Sequence, residues 1–127
     1  MPLVRIDVPD ELPPARAAGL SAAVHDALVA CCDVPADDRF HVVSRHGAGG
    51  LVVDRQFLGI ARGPEASIVS ITFRKGRSDE AKRALYRAIV AGAADRAGLR
   101  PEDVMIVLCE NTLVDWSFGN GIAQYAP

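Results

Sequence analysis

The chain of 127 residues has few aromatic side chains and only three cysteines. These are Cys31, Cys32 and Cys109, and an odd number that includes an adjacent pair makes a poor disulfide framework, which fits a reducing cytoplasm. No apolar run approaches the roughly 20 residues that cross a bilayer. The N-terminal segment MPLVRIDVPDELPP also has no hydrophobic signal core. These absences predict a cytoplasmic protein without disulfides and without a membrane partner.

An excess of charge of one sign is also missing. The 14 basic and 16 acidic side chains are interspersed and give a formal net charge of −2, so nothing favours nucleic acid as a partner. No CxxC motif or His/Cys ligand spacing is present, and His25, His41 and His46 fall on different predicted elements. We interpret the histidines as surface or packing residues and expect no metal ion and no cofactor.

What the chain does have is enough apolar sequence, at 50% of its residues, for the core of one domain over residues 1–127. Short apolar-rich or β-branched runs predict four strands, and the period-3.6 pattern predicts two helices that begin at proline or Ser78 and end at Val34-Pro35 or Gly98. The segment 51–60 is a short hairpin or an irregular excursion. The predicted strands cover residues 3–8, 40–44, 68–73 and 104–109, and the predicted buried helix stripes are Leu20, Val24, Leu28 and Cys31, then Ala81, Leu85, Ile89 and Ala93.

The two halves of the chain repeat each other at an offset of 66 residues, which is the separation of Pro35 and Pro101. The offset aligns strand with strand and helix start with helix start, with pseudo-repeats at about 2–45 and 68–111. We interpret this as an α/β fold made from a duplicated β-α-β unit. Right-handed crossovers would place both helices on one face of a four-stranded sheet. Chance similarity between two β-α-β segments is the alternative.

The fourth predicted strand, VMIVLC at 104–109, is apolar throughout. Such a run is typical of a strand that is buried on both faces. Two helices can cover only one face of the sheet, so the other face is expected to meet copies of the same chain in a closed oligomer.

Pro2 follows the start methionine, in a context where cells usually remove Met1. Removal would leave a secondary amine with an ordinary pKa of roughly 8. That group can act as a general base, a general acid or a nucleophile toward carbonyls. Many proteins also begin Met-Pro for no chemical reason, so Pro2 alone does not decide the function.

Together, the repeat, the oligomer and the Met-Pro start resemble the tautomerase superfamily. Further segments resemble its malonate semialdehyde decarboxylase branch: VPADDRF at 34–40, Arg74 and Arg77 before Ser78, Glu110-Asn111, and DWSFG at 115–119. The resemblance covers nearly the whole chain. It implies the tautomerase β-α-β fold and a homotrimer with catalytic prolines near subunit boundaries.

Carried over by position, the resemblance implies that Pro2 and Asp38 are catalytic. It also implies that the substrate-binding residues are Arg74 and Arg77, with an aromatic wall of Trp116, Phe118 and Tyr125. Two guanidinium groups can hold a carboxylate by charge-assisted hydrogen bonds, and aromatic rings can close a dry pocket. Solvated arginines, a turn-capping aspartate and rings that pack on a neighbouring subunit are the alternatives.

This chain departs from the family pattern at Lys75-Gly76, which separates the two arginines where one residue is expected. The favoured hypothesis is decarboxylation of a small 3-oxo acid such as malonate semialdehyde, with hydration of an unsaturated acid as a further activity. Protonated Pro2 would stabilise the developing oxyanion, or neutral Pro2 would form an iminium. A keto–enol tautomerase acting on enol or 2-oxo acids is one alternative, and a non-catalytic trimeric binding module is another.

Overall fold

The computed structural model describes all 127 residues and contains four strands and two long helices. Every predicted strand is confirmed, and each extends past its predicted ends by at most two residues. The segment 51–60 forms no strand, and its only regular element is a short 3-10 turn at Phe57–Gly59. No helix has the length and apolar character that a membrane crossing requires. In chain order the elements are β1 (Leu3–Pro9), α1 (Pro14–Cys32), β2 (Phe40–His46), β3 (Ser67–Arg74), α2 (Asp79–Ala97) and β4 (Val104–Asn111).

The sheet has the strand order β2-β1-β3-β4. The pairs β1–β2 and β3–β4 are parallel, whereas β1 and β3 run antiparallel. Two β-α-β units therefore meet along β1 and β3, as the duplicated pattern predicts. The helices lie on one face of the sheet and pack closely, because a Cβ atom added at Gly19 of α1 would overlap the backbone carbonyl of Arg96 in α2.

The hydrophobic core fills the space between the sheet and this helix pair. In α1 the last buried residue of the stripe is Cys32, not Cys31, because Leu20, Val24, Leu28 and Cys32 are spaced by four and stay on one face. In α2 the stripe begins at Leu85, not at the half-buried Ala81, and Ala97 completes it. Both differences come from where the helices face the core at their ends.

The ends of the helices direct the chain toward one end of the sheet. At the end of α1, Asp33 adopts the left-handed conformation with φ 54°, after which the chain runs through Pro35 into β2. The start of α2 is capped by Ser78, whose Oγ accepts a hydrogen bond from the Ala81 N–H at 3.1 Å. Its end is marked by left-handed Gly98, as predicted.

The face of the sheet opposite the helices is uncovered in a single chain. On β4 this face carries Met105 and Val107, which are 46% and 40% exposed. The same face carries an ion pair between Asp7 and His46, with 2.7 Å between Oδ1 and Nε2. We name this surface, formed by alternate residues of the four strands, the open face. β4 is thus apolar on both sides, and the helices of the chain cover only one of them.

Candidate active site

Four segments meet at the end of the sheet where β3 and β4 finish and β1 starts. They are the amino terminus, the turn after α1, the turn after β3 and the carboxyl-terminal tail. Together they enclose a cavity of about 520 Å³. Its walls are formed by Met1, Cys32, Asp33, Pro35, Asp38, Arg74, Lys75, Gly76, Arg77, Leu113 and Tyr125.

Asp38 contacts the amino terminus. Its Oδ2 lies 2.5 Å from the Met1 amine, and the two side chains are 16% and 4% exposed. The strand register explains the contact, because Leu3 pairs with Phe40 and two steps back along both parallel strands bring Met1 beside Asp38. Pro2 is buried next to Met1, with its nitrogen in the peptide bond to Met1, and it does not line the cavity. The fold therefore brings Asp38 against the amino terminus, one residue before Pro2.

The turn after β3 brings three cationic side chains to the cavity. Arg74, Lys75 and Arg77 all line it, and none of them has a carboxylate at salt-bridge distance. Gly76 takes φ +121°, a conformation that side chains other than glycine rarely adopt. Lys75 and Gly76, which separate the two arginines, both line the cavity. The wall is suited to an anionic ligand.

Arg77 is held differently from Arg74. Its Nη1 donates to the Arg74 carbonyl at 3.0 Å and its Nη2 to the Cys32 carbonyl at 3.3 Å. The guanidinium lies 4.4 Å above the Phe73 ring, and its Nε is buried without a partner. Arg77 therefore joins the end of α1 to the end of β3, while Arg74 is exposed and makes no side-chain hydrogen bond within the chain.

The predicted aromatic wall is a cluster shared between two cavities. Trp116 and Phe118 stack with centroids 5.6 Å apart, and Phe118 meets Tyr125 edge-on at 5.7 Å. Tyr125 lines the main cavity, whereas Trp116 and Phe118 line a second cavity of about 420 Å³ together with Leu3 and Phe40. The second cavity adjoins the first through the amino-terminal segment. The structure therefore places only one of the three aromatic residues in the main cavity.

Internal hydrogen bonds fix the tail that carries these rings. The Trp116 Nε1 donates to Asn111 Oδ1 at 2.7 Å. Asp115 accepts from the N–H and the hydroxyl of Thr112 at 2.7 and 2.9 Å, and these hydrogen bonds lower the pKa of its carboxyl. Asp115 is thus a capping residue that stays ionised, and it serves the position of Trp116.

Several lining residues were not identified from the sequence. Phe40 is predicted only as the start of a strand and the last residue of the VPADDRF segment, although its pairing with Leu3 places it on the face beside the amino terminus. Cys32 reaches the main cavity because it ends the buried stripe of α1, and burial raises the pKa of its thiol. A neutral thiol is a poor nucleophile. No group of three or more His, Cys, Asp or Glu side chains is arranged to hold a metal ion.

Comparison with known proteins agrees with the geometry. The model of the family described as tautomerase enzyme matches residues 38–119. The probable tautomerase YusQ of Bacillus subtilis (strain 168) is 37% identical over 105 residues, which is 83% of each chain. The crystal structure of a malonate semialdehyde decarboxylase inhibited by 3-bromopropiolate superposes with a TM-score of 0.91 at 36% identity, over 97% of this chain and 93% of that one.

A second malonate semialdehyde decarboxylase structure, from a study of decarboxylase and hydratase activities, superposes with a TM-score of 0.89. The two sequences are 33% identical, and the superposition covers 97% of this chain and 95% of that one. The family match spans well over half of the chain, and it includes Asp38, the arginine turn and the Trp116–Phe118 stack. With its two β-α-β units and this site, the chain belongs to the tautomerase enzyme family.

Proposed function

We propose that this protein decarboxylates a small 3-oxo acid such as malonate semialdehyde, with the amine of Pro2 as the catalytic group. The observation that carries the proposal is the contact between Asp38 and the amino terminus, at 2.5 Å and largely shielded from water. Removal of Met1 makes the Pro2 amine the new terminus, one residue along the chain from this contact. A carboxylate beside that amine favours its protonated form.

Arg74 and Arg77 supply the positive charge that receives the substrate carboxylate. Arg74 offers all of its guanidinium donors to the cavity. Arg77 has both terminal nitrogens bound to carbonyls, so it contributes mainly its charge and its remaining N–H groups. Charge-assisted hydrogen bonds of this kind are shorter and stronger than neutral ones. They orient the substrate so that its carbonyl oxygen faces Pro2.

The chemical step then needs only the Pro2 ammonium. The bond between the carboxylate carbon and the neighbouring methylene breaks, and its electron pair moves onto the carbonyl oxygen as an enolate. Carbon dioxide leaves, and the ammonium stabilises the oxyanion by a hydrogen bond. The Pro2 ammonium then protonates the enolate carbon, which gives the aldehyde, and the amine regains a proton from solvent after product release. A neutral Pro2 would reach the same product through an iminium. Trp116, Phe118 and Tyr125 exclude water around this step.

The working unit in this proposal is a homotrimer in which the open face meets neighbouring copies. The exposed Met105 and Val107 support this assembly, because such side chains are normally buried. The second cavity is lined by Leu3, which lies on the same side of the sheet. Assembly would therefore close the aromatic side of the site.

A keto–enol tautomerase with Pro2 as general base is the second candidate. It is favoured by the 37% identity to a probable tautomerase and by the aromatic cavity beside the amino terminus, which suits an aryl substituent. The ratio of turnover on malonate semialdehyde to turnover on phenylenolpyruvate separates the two functions. A non-catalytic binding module would turn over neither substrate.

The test combines intact mass with turnover of both substrates by wild-type protein, Pro2→Ala and Pro64→Ala. Pro64 is an exposed loop proline outside the site and serves as the matched control. We expect a mass lacking Met1, and a loss of decarboxylation of at least about 100-fold in Pro2→Ala alone. A retained methionine, or equal turnover in Pro2→Ala and wild type, would refute the role of Pro2. Trapping with borohydride distinguishes the iminium route, which leaves a reduced adduct on the terminal amine.

A further inference from the structure

His25 is a buried histidine of α1, with 8% of its surface exposed. Its Nε2 lies 2.9 Å from the carbonyl oxygen of Ala36. Because a carbonyl oxygen can only accept, Nε2 carries the proton and donates to Ala36. The other ring nitrogen, Nδ1, is buried without a hydrogen-bond partner. The bond to Ala36 is thus the only hydrogen bond that the His25 side chain makes.

Ala36 lies inside the turn that presents Asp38. The turn is closed by the Asp38 N–H, which donates to the Pro35 carbonyl at 3.0 Å. His25 is the only side chain that hydrogen-bonds to the backbone of residues 35–38. Fixing the Ala36 carbonyl fixes the plane of the turn, and this sets the direction in which the Asp38 side chain leaves it. The carboxylate then reaches the terminal amine at 2.5 Å.

A second polar pair holds the His25 ring without touching the turn. The His41 ring meets it edge-on, with centroids 6.0 Å apart. His41 Nδ1 lies 2.7 Å from Ser21 Oγ, which also accepts from Arg39 Nη2 at 3.1 Å. Ser21 therefore provides a matched control, because its removal alters the same polar cluster but leaves the bond to Ala36 in place.

We propose that His25 is a positioning residue that holds the Asp38 carboxylate against the amino-terminal amine through the Ala36 carbonyl. The inference rests on the proposed function for its catalytic consequence. Loss of the His25 N–H frees the turn, and the carboxylate then spends less time at the amine. The ammonium is stabilised less, and substrate binding by the arginine turn is untouched. A displacement of about 1 Å in a catalytic group can lower the rate about 100-fold.

The experiment compares wild-type protein with His25→Leu, His25→Gln and Ser21→Ala. Leucine removes the donor, whereas glutamine places an N–H near the position of Nε2. The amino-terminal amine is titrated by NMR without substrate, and kcat and KM for malonate semialdehyde are measured on the same samples. For His25→Leu we expect a lower titration midpoint, a fall in kcat of about 10- to 100-fold and a nearly unchanged KM. His25→Gln is expected to recover most of the titration midpoint and most of kcat. Ser21→Ala is expected to resemble wild type.

A folded His25→Leu protein with the wild-type midpoint would overturn the inference, as would an equal shift in Ser21→Ala. If His25→Leu does not fold, His25→Asn replaces it, because its shorter amide keeps a polar side chain but cannot reach Ala36, and the same outcomes apply. The substrate-free titration keeps the two proposals separable. A protein without turnover contradicts the proposed function, whereas the midpoint still decides whether His25 positions Asp38.

Discussion

Replacing Asp38 by asparagine removes a charge from the amino terminus while it preserves the shape of the side chain. The Met1 amine and the Asp38 carboxylate lie 2.5 Å apart and their side chains are only 4% and 16% exposed, so solvent screens the contact weakly. In the mature protein the Pro2 amine takes the terminal position. A hydrogen bond to a charged group contributes about 1.5–3 kcal/mol, and about 1.36 kcal/mol corresponds to a tenfold change in rate. Mature Asp38→Asn is therefore expected to lose about 10- to 100-fold in kcat/KM, because the lost carboxylate favoured the ammonium form of Pro2.

The measurement is the pH dependence of kcat/KM for malonate semialdehyde, together with NMR titration of the Pro2 amine. The descending limb at high pH reports loss of the ammonium and is expected to move to lower pH in both readouts. Asp37→Asn is the control, because Asp37 lies in the same turn but does not line the cavity. If the limb stays in place in Asp38→Asn, or moves equally in Asp37→Asn, the assigned role of Asp38 is wrong.

Three further predictions concern the two arginines of the cavity, the contact between the helices, and stability at acid pH. Arg74→Gln should raise KM by about 10- to 100-fold with little change in thermal midpoint. Arg77→Gln should lower the free energy of unfolding by about 1–2 kcal/mol, because it loses two hydrogen bonds to carbonyls. Steady-state kinetics and calorimetry separate these two effects. Gly19→Ala should destabilise the protein by about 1–3 kcal/mol in urea titrations, because the new Cβ meets the Arg96 carbonyl. This loss is expected although alanine has the better helix propensity. A variant that is as stable as wild type, or more so, would contradict this packing. Burial, with Arg39 and a neighbouring histidine as lesser causes, lowers the pKa of His41 from 6.5 to about 4. The unfolded chain therefore binds more protons than the folded protein between these two pH values. After discounting for solvent screening, the free energy of unfolding should fall by about 1–2 kcal/mol as the pH drops through that window. His41→Gln should remove this pH dependence of the urea midpoint.

The strands and helices were predictable because their signals are local. Apolar-rich and β-branched runs indicated β1 and β3, and the four-residue spacing of Leu20, Val24 and Leu28 indicated α1. The last buried residue of the stripe is Cys32 and not the predicted Cys31, because the end of a helix faces the core at an angle that depends on its neighbours. Secondary structure thus followed from periodicity, and its ends did not.

The site was predictable only in part, because it depends on contacts between distant segments. The meeting of Asp38 with the amino terminus follows from the register of β1 against β2, which no local pattern specifies. The family resemblance predicts that Asp38 and Pro2 share a site, and the contact in the structure is between Asp38 and the Met1 amine. The resemblance does not indicate the bonds of Arg77 to two carbonyls or the place of Lys75 in the cavity wall, because both depend on how the turn after β3 folds. His25 is predicted to be a surface or packing residue, because a single N–H aimed at a turn has no sequence signature.

The open face also affects how the protein should respond to dilution. In the proposed homotrimer, the surface that carries Met105 and Val107 is stabilised only while neighbouring copies occupy it. Folding free energy and association then become linked quantities, so the melting temperature depends on protein concentration. The aromatic cavity beside Leu3 lies on that same side. Specific activity per chain and thermal stability should therefore decline together as the protein is diluted, under the control of a single association equilibrium.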